Sequence, residues 1–255
     1  MDENLNPAGS ADAAADVPKL GFFQRLAGVY IEPQKTFEDI GRKGGWLGIF
    51  LIMAVLGCAS IYILQTRIDH ETYIRKGLQA NPITKNFSEE QIKAAIERPQ
   101  GPIERNLVYV MIPIGQLIVF LLISAVFLMI FVIMGGALNF KKSMAVTLWG
   151  MAPPGIVAGL LGILFMYIKD PDTLDVDTSA NVVSNLGLLV SQKEHPALAS
   201  LLSSIDIFSF WMIFLLSVGF AAASEGKLTR KKAMTGVVAV WAIYVLGKVG
   251  IKAIF

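Results

Sequence analysis

The side chains that could do chemistry in this chain are few and scattered. Asp69, His70 and Glu71 read as a fragment of a metal site. Three adjacent residues cannot converge on one ion from a helix, and no second histidine or cysteine lies nearby. A solvated loop accounts for them. Asp170, Asp172, Asp175 and Asp177 offer carboxylates to a divalent cation, but not at the spacing of a helix-loop-helix calcium site. His195 precedes Pro196 and reads as a loop or helix-start residue. The single cysteine, Cys58, lies in an apolar run and reads as a small packing residue.

Ionisable residues inside membrane-length runs mark pumps, proton relays and intramembrane hydrolases. The first three such runs contain none. Gln116 is the only strongly polar residue of the second run, Asp206 opens the fourth, and Lys248 lies in the fifth. From Lys232 to Lys248 is about 24 Å of helix, which sets Lys248 near the depth of Asp206. A lysine reaching for the interface and paired with Asp206 is the simple reading. A gate or ion site is the functional one. No Ser/His, His-Glu-x-x-His or paired-aspartate arrangement occurs within the runs, and no phosphate loop or dinucleotide fingerprint occurs anywhere. The sequence therefore predicts no catalytic residue, no cofactor, no metal and no enzyme.

The elements that must position these groups are membrane helices. The chain has 255 residues, 54% hydrophobic and 16% charged, against about 25% charged in soluble domains. A formal net charge of +2 gives no footprint for nucleic acid. Spans are expected at about 46–64, 108–134, 144–168, 205–223 and 233–251, each near the ~20 apolar residues that cross a bilayer. The expected fold is all-α: a polytopic membrane protein with five transmembrane helices at 44–255. Before them come a disordered cytoplasmic tail at 1–18 and amphipathic interfacial helices at 19–43. In the latter, Phe22, Phe23 and Leu26 recur at helical spacing, and Arg25 is placed toward anionic headgroups. The same stripe would also serve to pack on the protein's own spans. Deleting 19–43 is accordingly expected to leave the bundle folded.

The third span carries Pro153-Pro154, which should break or sharply bend it. Gly155 and Gly159, four apart, then offer a flat face for close helix packing. The break has two readings, a cavity-lining broken helix or a packing kink. Between the spans, Ser88 to Gln91 has capping-box spacing, so a helix is expected up to Glu97. Shallow helices are expected at 180–190 and 196–202. Bases sit before span one (Lys19, Arg25, Lys35, Arg42, Lys43), in the second loop (Lys141, Lys142) and in the fourth (Lys227, Arg230, Lys231, Lys232). The third loop has only Lys169 and Lys193 against five acids. The positive-inside bias then puts the N-terminus inside and the C-terminus outside. The first loop dissents, with seven bases and six acids.

Three stretches carry a family resemblance: VYIEPQKTFEDI, GGALNFKKSMAVTLWGMAPP and SFWMIFLLSVGFAAASEGKLTRKKAMTGVVAVWAI. Together they resemble the Yip (Ypt-interacting protein) membrane-domain family, bacterial branch. The carriers are Pro33 with Phe37, Gly135 and Gly136 with Pro153 or Pro154, and Gly226 with Ala233. The resemblance implies a five-span helical protein with a cytoplasmic N-terminus, in a bacterial inner membrane. Eukaryotic relatives are linked to Rab-type GTPases, but their Asp-Leu-Tyr-Gly-Pro motif is absent here, so GTPase binding is not carried over. The expected function is non-enzymatic: organising membrane lipids or protein partners. The alternative is a small ion or solute channel or transporter formed by a homo-oligomer, using the break in span three, Gln116, and Lys248 with Asp206.

Overall fold

The structure, a computed structural model, describes residues 20–81, 83–98, 101–174, 176, 185–191 and 194–254. The expected tail at 1–18, Lys19, Asp175, Asp177, Lys193 and the first part of the expected helix at 180–190 lie outside the described residues. The described chain is helical, without a strand, and its one isolated β-bridge joins Asn185 to Asp206.

The first two helices, α1 (Phe22–Ile31) and α2 (Pro33–Lys43), form a short hairpin ended by Gly44 and Gly45, both at positive φ. α3 (Leu47–Arg67) follows. Then come two polar helices, α4 (His70–Ala80) and α5 (Glu89–Glu97). Asp69 caps α4 by accepting from the Thr72 backbone N–H at 3.0 Å. Ser88 and Gln91 close a capping box on α5. α6 (Pro102–Ile133) and α7 (Phe140–Ile168) are the longest elements. Two turns of 3-10 helix, Pro171–Thr173 and Leu186–Leu189, and the short α8 (Pro196–Leu202) precede α9 (Ile207–Ala223) and α10 (Arg230–Ile254).

Among the described residues four helices are long and apolar enough to cross a bilayer: Leu47–Arg67, Asn106–Ile133, Phe140–Ile168 and Arg230–Ala253. α9 is apolar throughout but has 17 residues, about 25 Å at 1.5 Å per residue, short of the ~30 Å hydrocarbon core. The core lies between α7, α9, α6 and the hairpin. The Phe131 and Phe220 rings meet at 4.4 Å, and Phe127 lies 5.0 Å from Phe220. The Ser143 hydroxyl donates to the Ser124 carbonyl at 2.7 Å, tying α7 to α6 deep in apolar surroundings.

The third span is not interrupted at its double proline. α7 is one helix through Pro153 and Pro154, and both prolines are buried. Two consecutive prolines in a helix remove two N–H groups but fix two φ angles at helical values. With protein packed around this stretch, the helix continues. Gly155 and Gly159 do make a close approach: a Cβ on them would fall 2.8 Å from Met53 Cε and 2.6 Å from Leu56 Cδ2 of α3. Pro113 in α6 likewise deprives the Tyr109 carbonyl of its donor. The Cys58 thiol of α3 donates to that carbonyl at 3.6 Å.

Candidate functional site

Charge, burial and exposure meet in the N-terminal hairpin. Glu32 leaves the helical path (φ −130°, ψ 65°), and Pro33, preset for a first helical turn, opens α2. The inner face of α2 consists of Thr36, Phe37, Asp39, Ile40 and Gly41, all buried. Phe37 sits where a Cβ on Gly219 of α9 would be 2.9 Å from its ring and 2.7 Å from Val146 of α7. One turn on, a Cβ on Gly41 would lie 2.8 Å from the Ala223 Cα. The two contacts advance together by four residues, so α2 runs beside α9 in the same direction. Tyr30, at the end of α1, donates to the Pro153 carbonyl at 3.4 Å, and its ring meets Trp211 at 5.7 Å. The bend of the hairpin therefore points into the bundle. Its open end lies by the start of α7, where Lys141 covers Gly44.

A buried acid on a helix face must find partners. Asp39, 3% exposed, accepts from Arg25 Nε at 2.7 Å and from Lys43 Nζ at 2.5 Å. Arg25 Nη1 also donates to the Gly44 carbonyl at 2.9 Å, and Trp149 Nε1 donates to the Gly45 carbonyl at 3.0 Å. These bonds clamp α1, α2 and the turn after them against α7. The placement of Arg25 toward headgroups is thus corrected: it is a buried internal partner. Phe22 and Leu26 also pack on the core, with Phe22 5.6 Å from Trp149. Of the four residues expected to face lipid, Phe23 alone points outward, at 79% exposure. Because Phe37 and Ile40 are fully buried, deleting 19–43 would uncover the core, contrary to the sequence expectation.

The hairpin's outer surface is split. Along α1, Phe23, Gln24, Ala27, Tyr30 and Ile31 are exposed, apolar but for Gln24. Along α2 the exposed residues are Gln34, Lys35, Glu38 and Arg42, with Glu32 at the cap. Glu32 and Lys35 pair at 2.8 Å. Below the hairpin, Lys142 bridges to Glu225 in the α9–α10 turn. That hydrogen bond and the lysine's charge hold the Glu225 carboxyl below its ordinary value.

The other singled-out residues lie elsewhere. Gln116 faces Gly57 of α3, and its buried Oε1 has no hydrogen-bond partner among the described residues. Beside it an apolar groove of about 570 Å³ runs between α3 and α6, lined by Phe50, Ala54, Cys58, Tyr62, Tyr109 and Pro113. The Asp206 carboxylate caps α9, accepting from the Phe208 and Ser209 backbone and the Ser209 hydroxyl. Lys248 donates to the Ser203 hydroxyl at 2.9 Å, three residues before Asp206 in the chain. Asp69 is a helix cap, and Glu71 pairs with Arg75 at 3.3 Å.

Sequence reasoning missed the Arg25–Asp39–Lys43 cluster and α4. The signal for the first was an aspartate between Phe37 and Ile40 on the apolar face of α2. The signal for the second was Asp69 at capping distance from Thr72.

The comparisons with known proteins agree with this architecture. No curated protein and no solved structure gives a significant match. The Yip1 domain profile matches residues 27–251, which takes in most of the hairpin and all five apolar helices. The chain is a multi-pass membrane protein that belongs to the Yip1 domain family.

Proposed function

We propose that the protein is a non-enzymatic organiser of lipids or protein partners in a bacterial inner membrane. The observation that carries this is the hairpin: clamped from inside by buried ion pairs, it shows the membrane a surface half apolar and half charged. Rigid internal anchoring with an outward split face suits capture of amphiphilic neighbours rather than turnover of a substrate. α9 serves as a fifth, shorter span. The N-terminus lies on the side of the basic turns and the C-terminus opposite, following the positive-inside bias. Membrane lipids are the first partners on this reading, with a second copy or another membrane protein after them. The alternative, a small ion or solute channel or transporter formed by a homo-oligomer, would use Gln116 and Lys248 with Asp206 beside an uninterrupted α7.

The test leaves the clamp intact. Phe23→Gln with Ile31→Gln changes two exposed residues and no buried one. The full chain is purified in mild detergent, and copurifying lipids and proteins are identified by mass spectrometry. The reading expects a clear loss of bound lipid or partners in a folded variant. An unchanged set of lipids and proteins would sink it.

A further inference from the structure

We propose that the charged edge of α2 is a binding track for zwitterionic phospholipid headgroups, drawn with water into the leaflet on the side of the basic turns. This deepens the lipid-organising reading and rests on it.

The first observation is depth. α6 exposes apolar side chains to its last residue, with Met129, Val132 and Ile133 outward and Ile133 78% exposed. On this proposal the hydrocarbon boundary of this leaflet lies at the level of Ile133. Phe131 touches Phe220, and Gly41 lies against Ala223, one turn nearer the end of α9. Arg42 thus sits at the membrane boundary, and Glu38, Lys35 and Glu32 lie progressively inside it. From Arg42 to Glu32 is about 15 Å along the helix, roughly one leaflet of a ~30 Å core. The contacts of Tyr30 agree independently. Pro153 is about 20 Å along α7 from Phe140, and Trp211 is about 18 Å along α9 from Ala223.

The second observation is exposure. The Lys35 side chain is 75% exposed and that of Glu32 58%. Glu32 and Lys35 pair with each other at 2.8 Å, but an ion pair facing hydrocarbon is still costly. A lysine can reach a few ångströms toward the interface, but the shorter Glu32 arm cannot cover that distance. Water and headgroups must come to the charges.

The third observation is sign. Glu32, Lys35, Glu38 and Arg42 alternate, at steps of about 4.5–6 Å along the axis, and sum to zero. A polybasic patch would collect anionic lipid. An alternating track instead fits a headgroup that carries a phosphate and an amine, the phosphate on Arg42 and the amine on Glu38, beside the Glu32–Lys35 pair. The apolar α1 edge, Phe23, Ala27 and Ile31, gives the acyl chains a wall beside it. The same split argues against a second copy as occupant. A two-fold axis along the membrane normal would set the apolar α1 edge of one copy against the charged α2 edge of the other.

The test uses the full chain with its lone cysteine removed, Cys58→Ala, and a new one at an exposed position that leaves all four charges in place, Gln34→Cys. Leu122→Cys, exposed on α6 far from either end, is the control. Each is reconstituted in vesicles of phosphatidylethanolamine and phosphatidylglycerol. A charged thiol reagent should modify position 34 on the order of a hundredfold faster than position 122, because a thiol cannot ionise in hydrocarbon. A fluorophore at position 34 should be quenched by nitroxide on the headgroup rather than at mid-chain. That quenching should fall when phosphatidylglycerol replaces phosphatidylethanolamine. Slow modification with mid-chain quenching would overturn the proposal. So would disulfide formation between copies at position 34, or quenching indifferent to the headgroup. None of these readouts depends on copurifying lipids or proteins, so the wider organising reading stands or falls separately.

Discussion

Replacing Asp39 by leucine isolates the clamp. The residue is 3% exposed, and its carboxylate is the shared acceptor of Arg25 and Lys43. Asp39→Leu leaves the Arg25 guanidinium buried with the Gly44 carbonyl as its recorded acceptor. Removing one member of a buried pair costs about 3–5 kcal/mol, because the other charge stays behind uncompensated. At about 2–4 °C per kcal/mol for a chain of this size, the midpoint of unfolding should fall by roughly 6–20 °C. Cys58 makes the assay direct: it is the only cysteine and lies between α3 and α6, so a thiol-reactive dye in detergent reports opening of the bundle on heating. The second arm is Arg25→Met with Asp39→Leu, which removes both charges and keeps apolar volume. It should recover most of the loss, since apolar replacement of a whole buried pair is often neutral. Lys43→Met should cost no more than ~1 kcal/mol, because that side chain is 31% exposed. If Asp39→Leu unfolds within about 1 kcal/mol of the parent, or if the double variant is as weak as the single one, the clamp does not hold the hairpin.

Gly41→Ala should cost about 1–3 kcal/mol by overpacking, because the new methyl meets the backbone of Ala223 at 2.8 Å and neither helix can yield alone. The same thermal assay reads it, and a neutral result would mean that α2 is free to shift. Thr147→Val should be neutral or stabilising by ~1 kcal/mol. The Thr147 hydroxyl is fully buried without a partner among the described residues, and valine keeps its shape; marked destabilisation would reveal a hidden acceptor. The Glu225 carboxyl, held below 4.5 by Lys142, links the start of α7 to the α9–α10 turn. Because the folded value is the lower one, the link is complete above 4.5 and is lost as pH falls through the depressed value. Carboxyl carbon NMR should show that midpoint rising toward 4.5 in Lys142→Ala, and an unmoved midpoint would refute the assignment.

Much of the architecture was legible because lipid imposes long apolar runs. The expected stretches 46–64, 108–134, 144–168 and 233–251 each fall on a helix long enough to cross. α9 was legible as apolar, but its 17 residues came from where Asp206 caps it, which composition does not mark. A double proline is judged in sequence by its local cost, whereas in α7 both prolines are buried against protein and the helix is not interrupted. The candidate site was less legible. On α1, Arg25 stands three residues after Phe22 and four before Val29, so it shares their inward face with Leu26 and is not opposite the apolar stripe, and spacing alone could not say that this face meets Asp39. That contact spans fourteen residues and a turn. Charged residues look like surface until their partner is placed.

The hairpin's place in the bundle also sets an order of assembly. α1 and α2 leave the ribosome first, but the surfaces they bury against, Val146 and Gly219, arrive more than a hundred residues later. At about 5–20 residues per second, some 180 residues separate α2 from the end of α9, a wait of roughly 10–40 s. During that wait Phe37 and Ile40 lack their partners, and the newborn segment is a target for insertases, chaperones and proteases. Completion of α9 is therefore the moment at which the N-terminus is locked. Truncation anywhere before residue 219 should yield a chain whose first forty residues stay open to quality control.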